Sequence, residues 1–135
     1  MPLTLPFELE QLIVARPRRI LLVDDDVEAL ELLELILQSY GQETCAVSDA
    51  TKALSAAVAF SPHVAILDLD MPGLSGFQLA DAIREQSPSS RIGIFALSGW
   101  ADSVTVRRCK DFGFDRFFAK PMPIDQLCFA ISEYD

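Results

Sequence analysis

Four polar positions carry the chemistry on offer: Asp24-Asp25-Asp26, Asp68, Ser98 and Lys120. Each falls at the end of an apolar run. Carboxylates brought together repel one another, which raises their pKa values unless a cation neutralises them. Hard oxygen ligands suit Mg²⁺, which keeps several waters and takes one or two protein carboxylates plus phosphate oxygens. A carboxylate beside such a metal can attack phosphorus and form an aspartyl phosphate. Phosphoryl transfer then asks for in-line positioning and for charge on the equatorial oxygens to be stabilised. Mg²⁺ and the Lys120 ammonium would supply that charge, and the Ser98 hydroxyl would hydrogen-bond a third oxygen.

These residues lie far apart in the chain, so a fold has to gather them. Ile20-Leu21-Leu22-Val23 is too continuous for a one-sided strand and suits a sheet covered on both faces. Residues 27–40 read as a helix with Val27, Leu30, Leu33 and Leu37 on one face, Glu28, Glu31, Glu34 and Gln38 on the other, and Gly41 as its stop. The alternation continues with strands over 44–47, 63–69, 91–97 and 114–119. Helices are expected over 49–60, 75–86, 101–112 and 124–133. This is the pattern of an α/β protein, a doubly wound five-stranded parallel sheet with helices on both faces, and the order 2-1-3-4-5 is expected. In such sheets ligands bind beyond the carboxyl ends of the strands, near the switch in strand order. Asp24, Asp25, Asp68, Ser98 and Lys120 would therefore meet at one mouth.

Composition narrows the rest. A chain of 135 residues fits one core. Its net charge of −9 argues against direct contact with nucleic acid, whose phosphates would repel it. No apolar run approaches the ~20 residues that span a bilayer, and MPLTLPFELEQ lacks the charged start of a secretory signal. A cytoplasmic location is expected, without membrane insertion. Cys45, Cys109 and Cys128 form no CxxC pair, so neither a disulfide framework nor a zinc site is indicated. Residues 1–18 read as an N-terminal extension to a domain over 19–135. In that extension Leu5, Leu9, Leu12 and Ile13 keep helical spacing, and Arg16, Pro17, Arg18 and Arg19 look like a short basic linker. A docked tail is favoured there over an amphipathic helix for a partner or for a homodimer.

The stretches ILLVDDD, ILDLDMPGLSG, FALSGW and FFAKPM together resemble the response-regulator receiver family over residues 19 to 135, in family order. The resemblance implies a flavodoxin-like receiver fold with Asp68 as phosphoacceptor. It implies Mg²⁺ bound by Asp25, Asp68 and the backbone carbonyl of Asp70, with Asp24 acting through water. Lys120 would pair with the phosphoryl group or with Asp68, and the Lys120-Pro121 bond would be cis. Ser98 matches the switch hydroxyl, and Phe117 holds the aromatic switch position, where many members have Tyr. The implied donor is a sensor histidine kinase or a histidine phosphotransfer protein. Phosphorylation would change the face of the fourth helix, fifth strand and fifth helix, which docks a downstream protein target. With the chain ending after the last expected helix, a stand-alone regulator or a phosphorelay shuttle is expected.

Ordinary readings stand beside these. Asp26 reads as a helix N-cap rather than a metal ligand. Met71, Pro72, Gly73 and Gly76 read as loop-shaping residues, and His63 as structural. Trp100 would gate access to the phosphoryl group from one side, with Asp70 on the other. A phosphatase using Asp68-Leu69-Asp70 is disfavoured because that motif would follow the first strand and end in Thr or Val. A flavin domain is disfavoured by an acidic first loop. A degenerate receiver acting as a constitutive binding module is the remaining alternative, and the intact acids, Ser98 and Lys120 argue against it.

Overall fold

The computed structural model describes residues 6–7, 16–71, 75–86 and 91–134. Among them, strands and helices alternate as β1 (Arg19–Val23), α1 (Val27–Ser39), β2 (Glu43–Val47), α2 (Ala53–Phe60), β3 (Val64–Asp68), α3 (Gly76–Gln86), β4 (Gly93–Ser98), α4 (Ser103–Asp111), β5 (Arg116–Ala119) and α5 (Ile124–Ser132). All pairings are parallel, and the order is β2-β1-β3-β4-β5, as expected. Element ends differ from the sequence expectation by a residue or two. The main exception is residues 49–52, where a 3₁₀ turn over Ala50–Lys52 precedes α2. Leu5, Leu9, Leu12, Ile13, Pro72 and Gly73 lie outside the described residues. No helix among the described residues is long and apolar enough to cross a membrane.

The continuous apolar runs explain why the central strands are buried on both faces. Successive side chains of a strand point to opposite sides, so each run feeds two cores. Ile20, Leu22, Val64, Ile66, Phe95 and Leu97 pack with Leu30 and Leu37 of α1 and Leu127 and Ile131 of α5. Leu21, Val23, Ala65, Leu67, Ile94 and Ala96 pack on the other side with Ala53 and Ala57 of α2, Phe77 and Ile83 of α3 and Cys109 of α4. Edge strands β2 and β5 are less covered.

Asp26 caps α1 by accepting from the Ala29 amide, and Asp102 caps α4 by accepting from Thr105. Tyr40 ends α1, with Gly41 just beyond it at φ 82. The predicted apolar face of α1 is corrected at one position: Val27, the first residue of the helix, is half exposed, whereas Leu30 and Leu37 are buried. Gly76 is a helix residue, not only a loop residue. A Cβ there would lie 2.7 Å from Leu69 Cδ2 and 3.3 Å from the Asp68 carbonyl oxygen, so glycine lets α3 start hard against the end of β3.

Arg18 departs most from the sequence reading. Instead of lying in a basic linker it is buried, with its guanidinium donating to the Tyr134 and Ser132 carbonyls at the end of α5. His63 is structural as expected: its Nδ1 accepts from the Arg19 amide, at the far end of the sheet from the acids.

Candidate functional site

Strand register assembles the site. Val23 pairs with Leu67, which sets Asp24 and Asp25 beside Asp68. Asp68 pairs with Leu97 and Ser98 with Ala119, so Ser98 and Lys120 follow on the next two strands. The Lys120 amide donates to the Ser98 carbonyl at 2.9 Å, and the Lys120-Pro121 bond is cis. All five residues expected at one mouth meet there.

Asp24, Asp25 and Asp68 each offer a carboxylate oxygen, and these oxygens lie within 4.8 Å of one another. Asp24 and Asp68 are buried while Asp25 is exposed. Burial pushes Asp24 up to about 6, and the neighbouring Asp68 charge adds to the rise, against the Asp26 amide and Lys120. That unrelieved repulsion, in an all-oxygen set open to water on the Asp25 side, fits a hard divalent cation of the Mg²⁺ type. Asp26 turns its side chain to the helix cap instead.

On the other side, Lys120 Nζ lies 3.1 Å from Asp68 Oδ1 and 3.3 Å from Asp70 Oδ2. Partial burial opposes the lysine's charge, but the two carboxylates outweigh it and hold the ammonium above its ordinary range. Asp68 Oδ1 also accepts from the Asp70 amide at 2.8 Å, which orients the carboxylate. Ser98 is buried, and its hydroxyl donates to Asp70 Oδ1 at 2.8 Å while accepting from the Trp100 amide at 2.9 Å. The Gly99 amide donates to Asp70 Oδ2 at 2.8 Å. Burial would raise the Asp70 carboxyl, yet the Gly99, Ser98 and Lys120 contacts hold it below the ordinary carboxylate range.

The Asp70 side chain is thus a site residue that the sequence reading used only through its backbone carbonyl and as a flank. The available signal was an acid two residues beyond Asp68, on a loop that leaves β3 beside the end of β4, where Ser98 directly follows the Asp68 partner Leu97. Phe117 pairs with Ala96, two residues before Ser98, and packs partly buried on the same face of the sheet. Trp100 stands exposed at the rim.

Residues 20–132 match the model of the response regulator receiver domain. The chain belongs to the response regulator receiver family. The DNA-binding response regulator MtrA of Mycobacterium tuberculosis is 33% identical over 110 residues, covering 82% of this chain and 47% of MtrA. The chain therefore spans about half the length of the curated relatives it matches. Chemotaxis protein CheY4 of Vibrio cholerae has a similar fold, with a TM-score of 0.80 at 25% identity, over 87% of this chain and 98% of that one. The response regulator TrrA of Thermotoga maritima, solved in complex with Mg²⁺-BeF, superposes at 0.74 and 28% identity, over 86% and 97% of the two chains. The receiver fold here is that of a phosphorylation-switched signalling module of two-component systems.

Proposed function

We propose that Asp68 accepts a phosphoryl group from a phosphohistidine, on a sensor histidine kinase or a histidine phosphotransfer protein, with Mg²⁺ bound beside it. The observation that carries this reading is a buried carboxylate held between two further acids and an ammonium 3.1 Å away. An Asp68 oxygen forms the new P–O bond as the P–N bond to the donor imidazole breaks, and that electron pair stays on the imidazole nitrogen. Asp25 and Asp68, the Asp70 carbonyl and, through water, Asp24 would hold the ion. Bound there, Mg²⁺ would neutralise charge building on the phosphoryl oxygens. Lys120 and the Ser98 hydroxyl face the same oxygens. Ser98 and Phe117 share one face of the sheet, so drawing Ser98 toward the phosphoryl group frees space beside Phe117 and alters the α4–β5–α5 surface. A downstream protein, or a second copy of the chain, then reads that surface as a shifted population of pre-existing conformations.

The test is incubation with Mg²⁺ and acetyl phosphate, read by intact mass and by fluorescence of Trp100, the sole tryptophan. One added phosphoryl group, dependent on Mg²⁺ and absent from Asp68→Asn, is expected. If acetyl phosphate and beryllofluoride both left mass and fluorescence unchanged, a constitutive binding module would take its place.

The acid cluster adds a pH signature. Without metal, the raised Asp24 carboxyl binds its proton more tightly in the folded than in the unfolded chain, so its contribution favours folding at low pH and is lost as pH rises through about 6. Metal binding needs the ionised form. Mg²⁺ should therefore raise the melting temperature strongly at about pH 8 and weakly at about pH 5. Equal shifts at both pH values would show that the ion binds elsewhere.

A further inference from the structure

We propose that the Asp70 carboxylate is an internal anion seated on the donors that this site presents to a phosphoryl group, and that its displacement limits phosphorylation of Asp68. The inference rests on Asp68 being the acceptor. Donors of three chemical kinds converge on Asp70: the Ser98 hydroxyl at 2.8 Å, the Gly99 amide at 2.8 Å and the Lys120 ammonium at 3.3 Å. A hydroxyl, a main-chain amide and an ammonium form the kind of donor set that stabilises phosphoryl oxygens. They are already in use.

Two effects of Asp70 oppose each other. By binding Gly99 and Ser98, whose oxygen in turn accepts from Trp100, it holds the loop after β4 in place and pre-organises the donors. By accepting their hydrogens, it also consumes them. A hydroxyl and an amide carry one hydrogen each, so Ser98 and Gly99 cannot serve Asp70 and a phosphoryl oxygen together. Lys120 has three hydrogens, but Asp68 and Asp70 both draw on it. Consumption therefore outweighs pre-organisation. Phosphorylation requires the Asp70 carboxylate, already about a quarter exposed at 24%, to swing out into water.

The two roles predict opposite signs on removing the carboxylate, and a merely structural residue cannot produce a gain. The measurement is beryllofluoride binding with Mg²⁺, followed by Trp100 fluorescence, on the whole chain as wild type, Asp70→Asn and Asp70→Ala. Initial rates of phosphorylation by acetyl phosphate are followed by intact mass over a range of donor concentrations. Both variants keep the Asp70 backbone carbonyl. For Asp70→Ala the half-saturating beryllofluoride concentration should fall about tenfold, as expected for releasing charge-assisted hydrogen bonds. Asp70→Asn, whose amide oxygen still accepts but which no longer sets a charge against Lys120, should show a smaller fall in the same direction. The half-saturating acetyl phosphate concentration should fall more than the limiting rate changes. A wild type that forms the adduct beside variants that bind equally or more weakly overturns this inference alone. Absence of any adduct in all three proteins overturns the acceptor reading, and this inference with it.

Discussion

Lys120→Ala should slow phosphoryl uptake from acetyl phosphate by about a hundredfold while leaving the protein folded, the scale seen when one pre-aimed donor is removed from a charge-stabilising site. The Lys120 side chain is a third exposed and its ammonium sits at the mouth of the sheet, paired with Asp68 Oδ1 and Asp70 Oδ2, so its removal chiefly costs charge rather than core packing. What is lost is electrostatic, and it acts twice. No fixed positive side chain then faces the phosphoryl oxygens. Lys120 is also one of the influences holding Asp24 down, so its removal pushes that carboxyl further above the ordinary range and weakens metal binding near neutral pH. Initial rates by intact mass, at low and at saturating Mg²⁺, separate the two contributions: the second is recovered by excess metal and the first is not. Lys120→Arg should restore part of the rate, because the charge remains while the planar fork replaces a compact ammonium. A Lys120→Ala rate within about twofold of wild type would remove Lys120 from the mechanism.

The site was legible because each polar residue was tied to an element with a clear local signature. Asp24, Asp68, Ser98 and Lys120 close or directly follow β1, β3, β4 and β5, and parallel pairing does the rest. Their meeting needed only strand order and direction, both constrained by the alternation of apolar runs with amphipathic segments. The Asp70 side chain was not legible in that way. Its backbone position follows from β3, but whether its carboxylate faces solvent, the metal side or Ser98 depends on a rotamer and on the path of the loop after β4. Neither leaves a periodic trace. Val27 shows a related limit: spacing put it on the inner face of α1, but it is the first residue of the helix and is half exposed, and periodicity does not say how far along a helix the packed stripe extends. Arg18 was misplaced for a different reason. Within Arg16-Pro17-Arg18-Arg19 nothing distinguishes it, and its partners lie more than a hundred residues away, at Ser132 and Tyr134.

Those partners make Arg18→Ala the most damaging single change expected outside the site, at about 3 kcal/mol of unfolding free energy. Arg18 is 2% exposed, with Nε 2.5 Å from the Tyr134 carbonyl, Nη2 3.0 Å from that of Ser132 and Nη1 2.8 Å from that of Arg16. The last carbonyls of a helix have no partner within it and form the negative end of its dipole, so a buried cation there satisfies both needs. The Arg18 backbone is fixed as well, its amide donating to Gln42 Oε1 and its carbonyl accepting from Glu43. Alanine would keep those main-chain bonds and leave the Ser132 and Tyr134 carbonyls, at and just beyond the end of α5, without this donor in a site too covered for easy hydration. Tyr134, which packs against Phe95 and fills the space a Gly93 side chain would need, would loosen with them. Urea unfolding measures the total loss, and Arg18→Lys should recover only part of it, since one ammonium cannot reproduce the fork. Hydrogen exchange tests where the loss falls. If Arg18 chiefly ties down the end of α5, amides over 129–134 should exchange faster in Arg18→Ala than those of α1, which packs on the same core. A uniform increase would instead make Arg18 a global support, and a stability change below about 0.5 kcal/mol would make its burial incidental.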